Sequence, residues 1–241
     1  MPKSLAVLER DLREIFSARL QSVVQYATRA RRAAADSHGG AHDGHALVHT
    51  LAIVDTITAA DLRACAGHVI AWHGAGLATP LIVAGHEFAR SLDVFPLEFG
   101  AIVADHVVVA GRNPFTGLHV EPRDLRRACE VQARSHLLHL REGFLETAGR
   151  ADALAVLIVD SAPAFAALLE SIARLEGAAD DAAAVTRHAE RTLNVAGGIV
   201  SDVVRLAGVT EISSAEAERI FPAYLEAVER LVKFVDGWQA R

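Results

Sequence analysis

The feature that most constrains this chain is a change of texture near Pro122. Before it, short apolar runs of strand length alternate with segments of helical spacing. After it, strand-like runs largely disappear and only helical periodicity continues. Strands mixed with helices, then helices alone, predict an α+β (mixed α/β) chain. Residues 1–120 should form a mixed sheet with flanking helices, and residues 121–241 an α-helical bundle, with the boundary near 117–122.

The individual elements follow from local signals. Leu5, Leu8, Leu12, Ile15, Phe16 and Leu20 mark one face of a helix over 4–20, opposite a charged face. Strands are predicted at 22–26 and at about 47–54. Thr58 reads as a helix cap with Asp61 in the first turn, and the helix should end at the glycines 74–76. Residues 80–84 read as a short buried strand, 86–92 as one or two helical turns, and 94–99 as a strand in which Pro96 marks an edge or irregular position. A further strand at 107–111 leads into the turn Arg112-Asn113-Pro114. Helices are predicted at 123–148, 151–175, 180–193 and 213–235, with Gly197-Gly198 as a helix break.

Composition narrows the classes of function. Hydrophobic residues make up 51% of the 241 positions and aromatics 5%, so the core is built from Ala, Leu and Val. The net charge of −6 argues against general nucleic-acid binding, which calls for a basic balance. No uninterrupted apolar run reaches the ~18–20 residues that cross a bilayer, and the N-terminus leads into a charged amphipathic segment. Cys65 and Cys129 fall in predicted helices without metal-type spacing and read as reduced, buried thiols of a cytoplasmic protein.

The stretch Ser22-Val23-Val24-Gln25-Tyr26-Ala27-Thr28-Arg29-Ala30-Arg31 carries a resemblance. So do Ser91-Leu92-Asp93-Val94-Phe95-Pro96-Leu97-Glu98-Phe99, then 108–111 with Asn113-Pro114, and the helix 125–145 with Glu130, Arg134 and Arg141. Over about residues 5–150 the chain resembles the nucleotidyltransferase superfamily, and within it an uncharacterised bacterial nucleotidyltransferase-like group. The resemblance implies a first strand ending in Gly-Ser, where glycine lets the backbone approach phosphates and serine helps to hold them. It implies two metal-binding carboxylates alternating on the next strand, and a third on a later strand. Tyr26 fits that pattern. Ala27 stands in the glycine position and Thr28 in the serine position. The acid pair falls on Leu47 and His49, and the third acid on Glu98 or, as a second candidate, Asp93. Asp43 and Asp55 do not restore the pair, because one lies in a predicted loop and the other at the far end of the strand. One carboxylate in place of three argues against metal-dependent transfer.

Four constellations remain as candidate sites. Thr28, Arg29, Arg31 and Arg32 suit anion binding at a helix N-terminus, and equally a solvated basic surface. His38, His42, His45 and His49, with Asp36 and Asp43 nearby, have the spacing of a metal site if helical, but Gly39, Gly40 and Gly44 favour a solvated loop. Glu98 and Asp93 would be catalytic in an active enzyme. Without partner acids, Glu98 reads instead as one half of an ion pair with an arginine such as Arg31 or Arg134. Glu130, Arg134 and Arg141 share a helix face, where they could touch a ligand or pair with one another. His136 and His139 read as packed or exposed histidines, and Trp72 with His73 as core packing.

These readings describe a degenerate nucleotidyltransferase-like protein with a binding or regulatory role. Its ligand would be a nucleotide or other anionic small molecule held by Thr28, Arg29, Arg31, His49 and Arg134. Its partner would be a second copy or another protein docked on the C-terminal helices. The alternative is an active nucleotidyltransferase using Glu98 with a divalent metal (Mg, Mn or Zn). A weaker one is a metal-binding module on the histidine-rich segment.

Overall fold

The structure is a computed structural model that describes residues 2–27, 47–178, 181–195 and 198–239. The chain divides into two compact units, Met1–Val120 and Glu121–Arg241.

The first unit is a mixed four-stranded sheet with helices on both faces. Its elements are α1 (Lys3–Phe16), β1 (Leu20–Tyr26), β2 (His49–Val54), α2 (Ala59–Gly74), β3 (Leu81–Ala84), α3 (Gly85–Ser91), α4 (Pro96–Ala104) and β4 (His106–Gly111). The strand order is β3-β2-β1-β4. The β1 strand is antiparallel to β2 and β4, and β2 is parallel to β3.

Alternation along the two central strands feeds two cores. Val23, Ala52 and Val54 pack on Leu5, Leu8, Leu12 and Phe16 of α1 and on Cys65 and Trp72 of α2. On the other face, Val24, Leu51 and Ile53 meet Phe88 and Leu92, Ile102 of α4, and Phe115. Covering both faces explains why β2 reads as a continuous apolar run, with every residue after His49 buried.

Buried polar groups in this unit are paired where they join elements. Thr58 caps α2 in a reciprocal capping box with Asp61, and Arg19 grips both Asp61 oxygens at 2.7 Å. Those hydrogen bonds from Arg19, helped by Thr58, hold the Asp61 carboxyl well below its ordinary range. Asp11 is buried on α1 and accepts from Trp72 Nε1 at 2.9 Å and from Arg10 at 2.8 Å. Burial pushes its carboxyl up, but the Trp72 and Arg10 hydrogen bonds, with the charges of Arg10 and His68, outweigh burial and hold it low. Thr50 Oγ1 is buried without a hydrogen-bond partner among the described residues.

Two expectations are corrected here. Residues 94–99 are not a strand: Pro96 is the first residue of α4, where a missing N–H costs nothing and the ring's fixed φ favours the helix. The sequence reading of Pro96 as a strand irregularity took a helix-start signal for an edge signal. Glu98 therefore sits in a first helical turn and not on a strand.

The second unit holds α5 (Pro122–Glu146), α6 (Ala151–Leu175), α7 (Ala182–Leu193), α8 (Ile199–Leu206) and α9 (Ser214–Gly237). Helix α8 has no counterpart in the predicted elements; it begins after Gly198, whose φ of 84° only glycine adopts easily. Helix α6 packs on all four others. That central place explains its composition. By length and composition it is apolar enough to cross a membrane, with a mean hydropathy of 1.8 over its most apolar window, yet 44% of that window is buried inside the protein. The sequence expectation concerned uninterrupted apolar runs; Asp152 and Asp160 interrupt the apolar residues of this helix. Tyr224, fully buried on α9, bonds His136 Nε2 of α5 at 2.8 Å and Ser161 of α6 at 3.1 Å. Ser161 donates onward to the Ile158 carbonyl at 3.0 Å. Burial, and secondarily the charge of His139, push His136 down to about 4.

Three predictions follow from these features. A Cβ on Gly111 would lie 2.0 Å from the Gln21 carbonyl oxygen, at a φ of 78°, so Gly111→Ala should cost at least about 2 kcal/mol in urea unfolding. Ala27 has a φ of 54°, so Ala27→Gly should stabilise by up to about 1 kcal/mol as strain is relieved. His136 takes up a proton near pH 6.5 when unfolded but only near 4 when folded. Stability should therefore fall by up to about 3 kcal/mol as pH drops from 6.5 to 4, and denaturation of His136→Gln over the same range should lack that slope. The lowered carboxyls of Asp11 and Asp61 act in a separate window, losing their contribution as pH falls below 3.8.

Candidate functional site

The end of β1 and the start of β2 form the candidate site. The antiparallel register places Tyr26 opposite His49 on one side and His106 of β4 on the other. Residues paired across neighbouring strands share a face, so His49, Tyr26 and His106 make a row across three strands. The row lies on the face that carries Val24 and Leu51, continuous with the Phe88, Ile102 and Phe115 core.

Each member of the row has a distinct environment. The Tyr26 and His49 rings lie 5.7 Å apart and tilted. Tyr26 is half-buried, and burial raises its phenol above the ordinary value, so it stays protonated and able to donate at neutral pH. His49 is exposed. His106 is half-buried, its ring edge-on to Phe115 at 4.6 Å, with Nδ1 3.0 Å from the Val103 carbonyl. A carbonyl only accepts, so neutral His106 carries its proton on Nδ1 and leaves Nε2 as an acceptor. Sequence reading missed His106 because it began that strand at Val107. The signal available was the polar residue directly ahead of a Val-Val-Val run.

Just beyond Tyr26, the Ala27 N–H donates to the Asp105 carbonyl at 3.3 Å, prolonging the β1–β4 pairing. Ala27 itself has left-handed backbone. This is the position where the resemblance calls for glycine, and the chain keeps the glycine conformation with an alanine in it.

The carboxylates predicted for catalysis are not on the sheet. Among the described residues, none of the four strands contains Asp or Glu. Leu47 and His49, the positions for the acid pair, are a 43%-exposed leucine and the exposed imidazole of the row. Asp93 lies in the turn between α3 and α4, and Glu98 on α4; both are exposed. The idea of Glu98 as a strand-borne third acid fails because Pro96 starts a helix there. Asp55 is at the opposite end of β2 from His49 and accepts a hydrogen bond from Gln21.

The remaining candidates separate cleanly. Thr28, Arg29, Arg31, Arg32, His38, His42, His45, Asp36 and Asp43 lie outside the described residues. Among the described residues no group of three or more His, Cys, Asp or Glu could hold a metal ion. Arg134 lies on α5 with both Asp236 oxygens at 2.7 Å and Glu130 at 3.4 Å, and Arg141 pairs with Glu229 at 2.6 Å. These arginines fasten α9 to α5. His136 is packed against Tyr224, and Trp72 is core. A notch of about 10 Å³ beside Leu169, Leu193 and Leu231 has room for one water.

Chemically, the row offers hydrogen-bonding and stacking groups without negative charge. Such a surface can hold a planar or anionic group. It cannot supply the oxygen ligands that a hard cation such as Mg²⁺ requires.

No protein-family model matches the sequence, and no curated protein matches it. In three dimensions the chain is similar to the crystal structure of spectinomycin adenyltransferase AAD(9) from Enterococcus faecialis with ATP and spectinomycin. The TM-score is 0.56 at 9% identity, covering 97% of this chain and 98% of that one. At that identity the likeness concerns the fold alone, and the fold of this chain is nucleotidyltransferase-like.

Proposed function

We propose that this protein has lost metal-dependent nucleotidyl transfer and serves as a binding or regulatory protein for a nucleotide or another anionic small molecule. One observation carries the reading: a nucleotidyltransferase-like sheet in which, among the described residues, no strand bears a carboxylate. Among the described residues the sheet offers no acid to anchor a divalent metal beside phosphates, which supports a reading without the charge neutralisation that transfer needs. Binding needs less. His49 and Tyr26 supply a donor and an aromatic surface. Thr28, Arg29 and Arg31, which directly follow Ala27 in sequence, supply a hydroxyl and positive charge for an anion.

The test is a thermal-shift series with the four nucleoside triphosphates, each with and without Mg²⁺ and Mn²⁺. With ligand about tenfold above its Kd, a binder should raise the melting temperature by about 3 °C or more. The expected result is a shift with at least one nucleotide that is the same in the presence and absence of metal. A shift that requires metal, together with transfer of labelled nucleoside monophosphate to any acceptor, would overturn the proposal in favour of an active nucleotidyltransferase. No shift with any nucleotide would remove nucleotides as the ligand class.

A further inference from the structure

Helix α5 buries one side and leaves the opposite side bare. Leu125, Cys129, Ala133, His136 and Leu140 face the bundle. At about 100° per residue, Val131, Leu138 and Leu145 point the other way. They are 63%, 62% and 77% exposed. Their spacing is seven residues, about two helical turns, so they stack in one column along the helix. Single exposed apolar residues need no explanation, but a column of three along one helix does.

The charges beside this column are sorted. Arg127, Arg134 and Arg141 recur at the same seven-residue spacing on the side toward α9, where Arg134 meets Asp236 and Arg141 meets Glu229. Arg127 makes no ion pair among the described residues. Glu142 and Glu146 are exposed on the side toward α6, which Gly143 approaches closely at Leu157. The outer face of α6 continues with exposed Asp152, Val156 and Asp160. Glu130, Asp236 and Glu229 offset the arginines with which they pair on the first flank, and Arg150 pairs with Asp152 on the second. The charges left without an ion pair among the described residues are Arg127 on one side and Glu142, Glu146 and Asp160 on the other. A ridge with that excess of opposite charge on its two flanks is complementary to itself in one orientation. A two-fold axis parallel to the helix lays each basic flank on the partner copy's acidic flank. An antiparallel arrangement sets arginines against arginines. Guanidinium groups that already hold one carboxylate keep donors for a second.

We propose that the protein self-associates through α5, two copies packing their α5 helices in parallel with Val131, Leu138 and Leu145 as the seam. Analytical ultracentrifugation of the full chain over a concentration series tests this. The wild type should form dimers, and Leu138→Glu should weaken them at least about tenfold. The melting temperatures of the two proteins, compared at concentrations where both are monomeric, should agree, since the side chain is exposed in the single chain. Orientation is read by oxidative cross-linking. Val131→Cys should link to itself, because parallel pairing sets residue 131 against 131; antiparallel pairing about Leu138 would set it against 145, about 21 Å along the axis. A monomeric wild type, or a dimer indifferent to Leu138→Glu, would overturn the proposal. Cross-linking at Leu138→Cys but not at Val131→Cys would overturn the parallel arrangement.

Discussion

The antiparallel pairing of β1 with β2 is the constraint on which the first unit depends. Its register sets Val24 against Leu51 and Tyr26 against His49. Side chains alternate strictly along a strand, so a slip of one residue would turn both central strands inside out. Such a slip is prevented from both sides, because α1 and α2 claim Val23, Ala52 and Val54 while Phe88, Ile102 and Phe115 claim Val24, Leu51 and Ile53. The row at the end of the sheet inherits its geometry from that double coverage. His49 stands beside Tyr26 because five buried residues behind it leave no other register open.

The same double coverage bears on the chemistry. An ionised carboxylate on a strand covered on both faces needs compensating partners, since removing charge from water costs several kcal/mol. Among the described residues, the buried carboxylates of this unit, Asp11 and Asp61, sit on helices beside cationic side chains and hydrogen-bond donors. The sheet is left with apolar, amide, hydroxyl and aromatic groups. Just beyond the sheet, Ala27 holds a left-handed backbone that glycine would adopt more easily.

The second unit is organised by its central helix. Because α6 touches four neighbours, its apolar residues are spread around much of its circumference, and its bilayer-like composition follows from position. The chain from His136 through Tyr224 to Ser161 ties α5, α9 and α6 by one buried path. Outside, Arg134 with Asp236 and Arg141 with Glu229 fix α9 along α5. Helix α5 thus carries both the inner polar link and the outer ion pairs, and still leaves a bare apolar column.

Much of this was legible in the amino-acid order. The alternation of β1, the apolar run of β2, the Thr58–Asp61 cap and the limits Ala151–Leu175 of the longest apolar helix are set by local chemistry, and local chemistry is what a sequence displays. The lack of acids at the two expected positions, Leu47 and His49, was equally visible. Tertiary structure decided the rest. Pro96 could mark a strand edge or begin a helix, and only packing of α4 against the Phe88 cluster selected the helix and took Glu98 off the sheet. His106 joined the candidate site through pairing between residues 80 positions apart, which no local pattern announces. Arg134 looked available to a ligand until α9 brought Asp236 to it. Sequence alone fixed which backbone each segment prefers and which charges are missing; which side chains meet depended on long-range register and packing, because those contacts join residues that have no local relation to one another.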